Sequence, residues 1–142
     1  MRRRMLSGVV IVAGLLLPVR TFADDALPKD WKPHLDLVAR SIEKDLGKST
    51  VQQEMNLLSG LLAEVKDAEL LIAYLRLYSS LEGKGRKQLK AEQSKWIKAR
   101  DVAVAELGPH DSSRGSIAPM EDNQLFVNLT EKRIKELRQR LK

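Results

Sequence analysis

From Val51 to Leu81 the chain runs for about 30 residues without a proline. Val51, Met55, Leu58, Leu62 and Val65 recur at spacings of four and three, and Ala68, Ile72 and Leu75 continue the stripe. Leu61, Leu71, Tyr78 and Leu81 lie beside it. An α-helix places such positions on one face, whereas a half-buried strand needs alternation. The spacing therefore predicts one long helix of roughly 45 Å at 1.5 Å per residue. Such a helix must be covered by a partner of similar length or by two shorter ones. Ser49 or Thr50 is expected to cap it, with Gln53 completing a capping box with Thr50.

The neighbouring segments supply the partners. Leu35, Val38, Ile42 and Leu46 share one helical face between Pro33 and Leu46, and Gly47 follows as a stop. Glu82, Gly83, Lys84 and Gly85 break the chain after the long helix. A third helix is predicted over Arg86 to Leu107, with Leu89, Trp96, Ile97, Ala103, Val104 and Leu107 inward. Gly108 and Pro109 end it, and a structureless loop is expected up to Pro119. A last helix from Met120 to Leu141 carries Leu125, Phe126, Leu129, Ile134, Leu137 and Leu141. The expected fold is all-α: an antiparallel helical bundle of about four helices with one long central helix. No internal repeat is visible.

The first 23 residues read differently. Arg2, Arg3 and Arg4 precede an uncharged, mostly apolar run from Met5 to Leu17, and Thr21 and Ala23 are small residues at the positions a signal peptidase reads. The run of about 13 residues is shorter than the roughly 20 a spanning helix needs. A signal peptide over residues 1–23, cleaved after Ala23, is therefore expected, with a periplasmic or secreted product that keeps no transmembrane anchor. Residues 24–48 are read as a polar lead and first helix, and residues 49–142 as the main helical domain.

The formal charge of +6 overstates the basicity of that product, because Arg2, Arg3, Arg4 and Arg20 leave with the signal and no acid does; about +2 remains. Neither that charge nor the secretory route suits a nucleic-acid binder. The absence of cysteine excludes a disulfide framework, thiol catalysis and a lipid-modified cysteine. His34 and His110 are the only histidines, which gives no pattern for a metal site, and nothing calls for a cofactor.

Leu89, Gln93, Trp96, Arg100 and Val104 form one row on the third helix, so two polar side chains flank Trp96 on an apolar face. A semi-buried guanidinium must be paired. Asp67 and Glu69 are the candidate partners, and the row is read as a structural polar network. Lys84, Arg86, Lys87, Lys90, Lys95 and Lys98 make this helix basic, net +4 from Gly83 to Leu107, against −3 from Val51 to Glu82. A basic run of this kind is usually a solvated face; contact with membrane or an anionic polymer is the other reading. The loop from Gly108 to Pro119 is the better candidate for partner binding, through His110, Asp111, Ser112 and Arg114. His110, Asp111 and Ser112 are residue types of a hydrolase triad, but adjacency in sequence is not the spatial relay, and no G-x-S-x-G elbow is present.

The segment from Leu89 to Asp101, with Gln93, Trp96, Arg100 and Asp101, resembles the L-K-x-A-Q-x-x-W-I-x-x-R-D signature of the LprI-type lysozyme-inhibitor N-terminal domain family. Met55, Asn56 and the stretch from Asp67 to Tyr74 are similar to that family's earlier helix. Gly115 to Pro119, then Leu129, Thr130, Arg133 and Leu137, are similar to its G-S-x-x-P and L-T-x-x-R-x-x-x-L ending. The resemblance spans roughly Thr50 to Leu141. Family members usually carry cysteines near positions held here by Leu58, Val104 and Phe126, so apolar packing is expected where a disulfide would otherwise act. The asparagine expected in the earlier helix is Leu71.

The resemblance implies an exported, non-enzymatic helical protein. Gln93, Trp96, Arg100, Asp101, Tyr74, Thr130 and Arg133 are its signature residues, with structural roles expected. The partner it implies is a lysozyme-like protein; the alternative is an envelope interaction or scaffold protein that binds another envelope protein. Sequence does not fix the oligomeric state.

Overall fold

The computed structural model describes Pro28 and residues 30–141; the expected signal peptide lies outside the described residues. Four helices follow in order: α1 (Leu35–Leu46), α2 (Gln52–Ser80), α3 (Gly83–Ala105) and α4 (Ala118–Gln139). A single 3-10 turn over Gly115–Ile117 leads into α4. No strand occurs among the described residues, and no helix there is long and apolar enough to cross a membrane.

The long helix is the axis of the bundle. α1 and α4 pack against α2, and α3 packs mainly against α4. Two apolar clusters hold them together. Leu70, Ala73 and Leu77 of α2 meet Leu89 of α3 and Ile134 and Leu137 of α4, with Tyr74, Tyr78, Leu81 and Trp96 around them. Ala39 of α1, Leu62 and Ala63 of α2 and Val127 of α4 form the second, with Ile42, Val65 and Phe126.

The hairpin between α2 and α3 is tighter than the Glu82–Gly85 break suggested. Only Leu81 and Glu82 stand outside the helices, and Gly83 opens α3 with φ +39, a conformation that suits glycine. Arg86 closes the end of α2 by donating from Nε to the Tyr78 carbonyl at 3.1 Å while its guanidinium rests on the Tyr78 ring.

Several side chains face other than as predicted. The buried stripe of α2 is Ser59, Leu62, Ala63, Lys66, Glu69, Leu70, Ala73 and Leu77. Leu61 and Leu71 are exposed, as is Ala68. Because α2 is apolar on more than one side, the face covered is the one whose polar residues find partners on α1 and α4. In α1 the buried residue is Ala39 and Val38 is exposed, because a small residue lets α1 approach α2 closely. Ile97 and Leu107 of α3 are exposed while Gln93 and Arg100 are buried.

The capping box at Thr50 does not form. Val51 is the residue before α2, and the Ser49 hydroxyl accepts from Val51 N and donates to Glu54 at 2.6 Å. Residues 115–117, expected without structure, make the 3-10 turn, and Ala118 rather than Met120 begins α4, with Pro119 in its first turn.

Candidate functional site at the loop end of the bundle

The connection between α3 and α4 is an ordered loop held from inside. Gly108 (φ +97) and Gly115 (φ +66) allow its two reversals. Asp111 folds the middle: its side chain accepts from Ser113 N at 2.9 Å and from the Ser113 hydroxyl, and its carbonyl accepts from Gly115 N at 2.9 Å. The Ser113 bonds hold the Asp111 carboxyl below its ordinary range. Asn56 of α2 donates to the Ser116 carbonyl at 2.9 Å and ties the far end of the loop to the long helix.

Arg114 is the clamp. Its Nη1 donates to the Gly108 carbonyl at 3.0 Å, and its Nη2 donates to the Ala118 carbonyl at 3.2 Å, to Glu121 at 3.1 Å and to Asp122 at 2.6 Å. The Asp122 bond keeps this guanidinium more firmly protonated than usual. His110 Nε2 lies 2.6 Å from the other Asp122 oxygen. Burial pushes the Asp122 carboxyl up, but His110 and Arg114 together outweigh burial and hold it below the ordinary carboxylate range.

Arg114 therefore spends its donors inside the loop, whereas His110, Asp111 and Ser112 stand at the exposed surface. The triad-like trio makes no relay, since His110 pairs with Asp122 and Asp111 with Ser113. Among the described residues no group of histidines and carboxylates is placed to hold a metal ion.

The signature residues gather farther along the bundle. Arg100 donates from Nη1 to Asp67 at 2.6 Å and from Nε to Asp101 at 3.1 Å, and its Nη1 reaches Thr130 Oγ1 at 3.5 Å. Its guanidinium carbon lies 3.9 Å from the Phe126 ring centroid and 5.3 Å from that of Trp96. Arg133 approaches Trp96 at 5.9 Å, donates from Nε to Gln93 at 3.0 Å and pairs with Glu136 at 3.0 Å. Its Nη2 is buried with no hydrogen-bond partner among the described residues. The stack runs Phe126, Arg100, Trp96, Arg133, so aromatic faces balance two buried cations. Tyr74 stands 5.9 Å from Tyr78, and burial first, then Tyr78, pushes its hydroxyl up. Glu69, the other partner considered for Arg100, instead faces Lys66 at 3.7 Å.

Lys66 is a third buried cation, one that the sequence did not single out. Glu131 lies 2.9 Å from its ammonium and Glu43 3.8 Å. Burial pulls the ammonium down, but Glu131, Glu69 and Glu43 outweigh burial and hold it above its ordinary value. The other overlooked residue is Asp122. The signal is an acid in the first turns of a helix, where carboxylates commonly settle; its partners His110 and Arg114 are the ones that the sequence assigns to partner binding.

A groove of about 540 Å³ runs between α2 and α3, lined by Glu64, Leu71, Tyr74, Lys90, Gln93 and Ile97 among others.

Among known families, the sequence model of the family described as Lysozyme inhibitor LprI matches residues 44–137, about two thirds of the chain. No curated protein and no solved structure matches.

Proposed function

This chain belongs to the LprI lysozyme inhibitor family, and from that membership we propose that it is an exported, non-catalytic protein that blocks a lysozyme-like cell-wall glycosidase with the loop tip His110, Asp111 and Ser112. The observation that carries the reading is the clamped loop. It presents exposed polar groups on a backbone fixed to α2 by Asn56 and to α4 by Arg114.

A glycosidase of this kind works with a pair of carboxyl groups in an open cleft. A fixed polar projection suits such a cleft: the Ser112 hydroxyl can donate to a carboxylate there, and the His110 ring, whose Nε2 faces Asp122, turns its Nδ1 to the target. Arg114 acts by holding the tip in place rather than by touching the target. The signal peptide read at residues 1–23 supports delivery to the compartment where cell-wall glycosidases work, with an N-terminus at Asp24.

A cell-wall lysis assay with several lysozymes tests this. The protein should slow lysis, and replacing His110, Asp111 and Ser112 together with alanine should abolish the effect while helicity and melting temperature stay unchanged. Inhibition that survives the replacement would overturn the loop assignment. No inhibition of any lysozyme by the folded protein would overturn the inhibitor reading in favour of an envelope scaffold.

A further inference from the structure

The outer face of α2 carries a row, apolar but for Glu64, that no other helix covers among the described residues. Leu57, Leu61, Glu64, Ala68, Leu71 and Leu75 follow one another at spacings of four and three, the seam spacing of paired helices. All are exposed except the half-buried Leu75, and Leu71 is 56% exposed. The row spans about 27 Å at 1.5 Å per residue. Leu71 forms a ridge between two grooves, one shared with Tyr74 and Ile97 and the other with Trp31, Ile72 and Leu75. A contiguous apolar surface of this kind marks an interaction site.

Charge identifies the occupant. Asp67 pairs with Arg100, and Leu77 and Leu89 share a core cluster, so α2 and α3 run antiparallel along the groove. Glu64 therefore lies toward one end on the α2 wall and Lys90 toward the other end on the α3 wall. Both line the groove, both are exposed, and neither has an ion-pair or hydrogen-bond partner among the described residues. Unlike charges at opposite ends of an apolar patch complement themselves. A two-fold axis midway between them sets Glu64 of one copy against Lys90 of the partner subunit, and the same contact forms twice.

We propose that this face is the interface of a symmetric homodimer, with Leu71 and Ile97 at its centre and the two Glu64–Lys90 contacts at its rim. The loop at the end of the bundle takes no part in it.

Sedimentation equilibrium of the protein, from nanomolar to high micromolar concentration, tests the proposal. The mass should rise to that of a dimer. Leu71→Asp should give a monomer of unchanged helicity. Glu64→Lys and Lys90→Glu should each weaken association roughly tenfold. Combining the two reversals should restore it, since the swapped charges meet again across the axis. A protein that stays monomeric throughout would overturn the proposal. So would a dimer indifferent to Leu71→Asp, a double reversal no better than the single ones, or a monomer that binds lipid vesicles through Leu71.

Discussion

The guanidinium of Arg100 sits over the Phe126 ring, its central carbon 3.9 Å from the ring centroid. Arg100 belongs to α3 and Phe126 to α4, so a cation on an aromatic face joins the two helices there. A double-mutant cycle between Arg100→Met and Phe126→Leu should return a coupling of about 1 kcal/mol in denaturant unfolding. A coupling near zero would mean that the ring and the cation merely adjoin.

Lys66 should be costly to remove alone and cheap to remove with its acid. Its side chain and that of Glu69 are only 11% and 10% exposed. Lys66→Met leaves Glu69 with Arg138 at 4.0 Å as its nearest cation, and should cost about 3 kcal/mol, the lower end for a stranded buried charge. Adding Glu69→Leu should recover most of that loss. Equal destabilisation by the single and double variants in urea unfolding would contradict this.

Arg114→Ala should loosen the loop without unfolding the bundle. It strips donors from two carbonyls and two carboxylates. Amide hydrogen exchange over residues 108–117 should speed up, with little change in melting temperature. Arg114→Lys should not rescue, since an ammonium cannot span the four acceptors of the guanidinium fork. Unchanged exchange in the alanine variant would remove Arg114 from its role as clamp.

Acid should release the same loop. The Asp122 carboxyl is held below its ordinary range in the folded chain. Its contribution is therefore complete above the free value of about 3.9 and disappears as pH falls through the lower folded value. Loop protection, corrected for intrinsic exchange, should be level from about pH 7 to about pH 5 and fall below about 3.9. Asp122→Asn should weaken the loop at neutral pH and shrink the acid step to the part that Asp111 contributes through its bonds to Ser113. Loss of protection already complete at about pH 5 would point to another group.

The helices were legible because proline, glycine and period mark their ends, and the need to pair a semi-buried guanidinium narrowed the partner of Arg100 to Asp67 or Glu69 without choosing between them. The rotation of α2 was not legible. Apolar residues surround that helix, so local pattern leaves several faces open, and the face chosen depends on Glu43 and Glu131, both distant in sequence, meeting Lys66. The loop was misread in one respect for a similar reason. Arg114 looks available in the sequence because its acceptors are backbone carbonyls and acids of the next helix, brought to it only when α4 starts at Ala118.

Asn56 and Arg114 hold the α3–α4 loop from two sides in the unbound protein. A segment already ordered surrenders little conformational freedom when a target arrives. On the proposed inhibitor reading, encounters then need no folding step, and preferences among targets should appear in the lifetime of the complex rather than in the speed with which it forms.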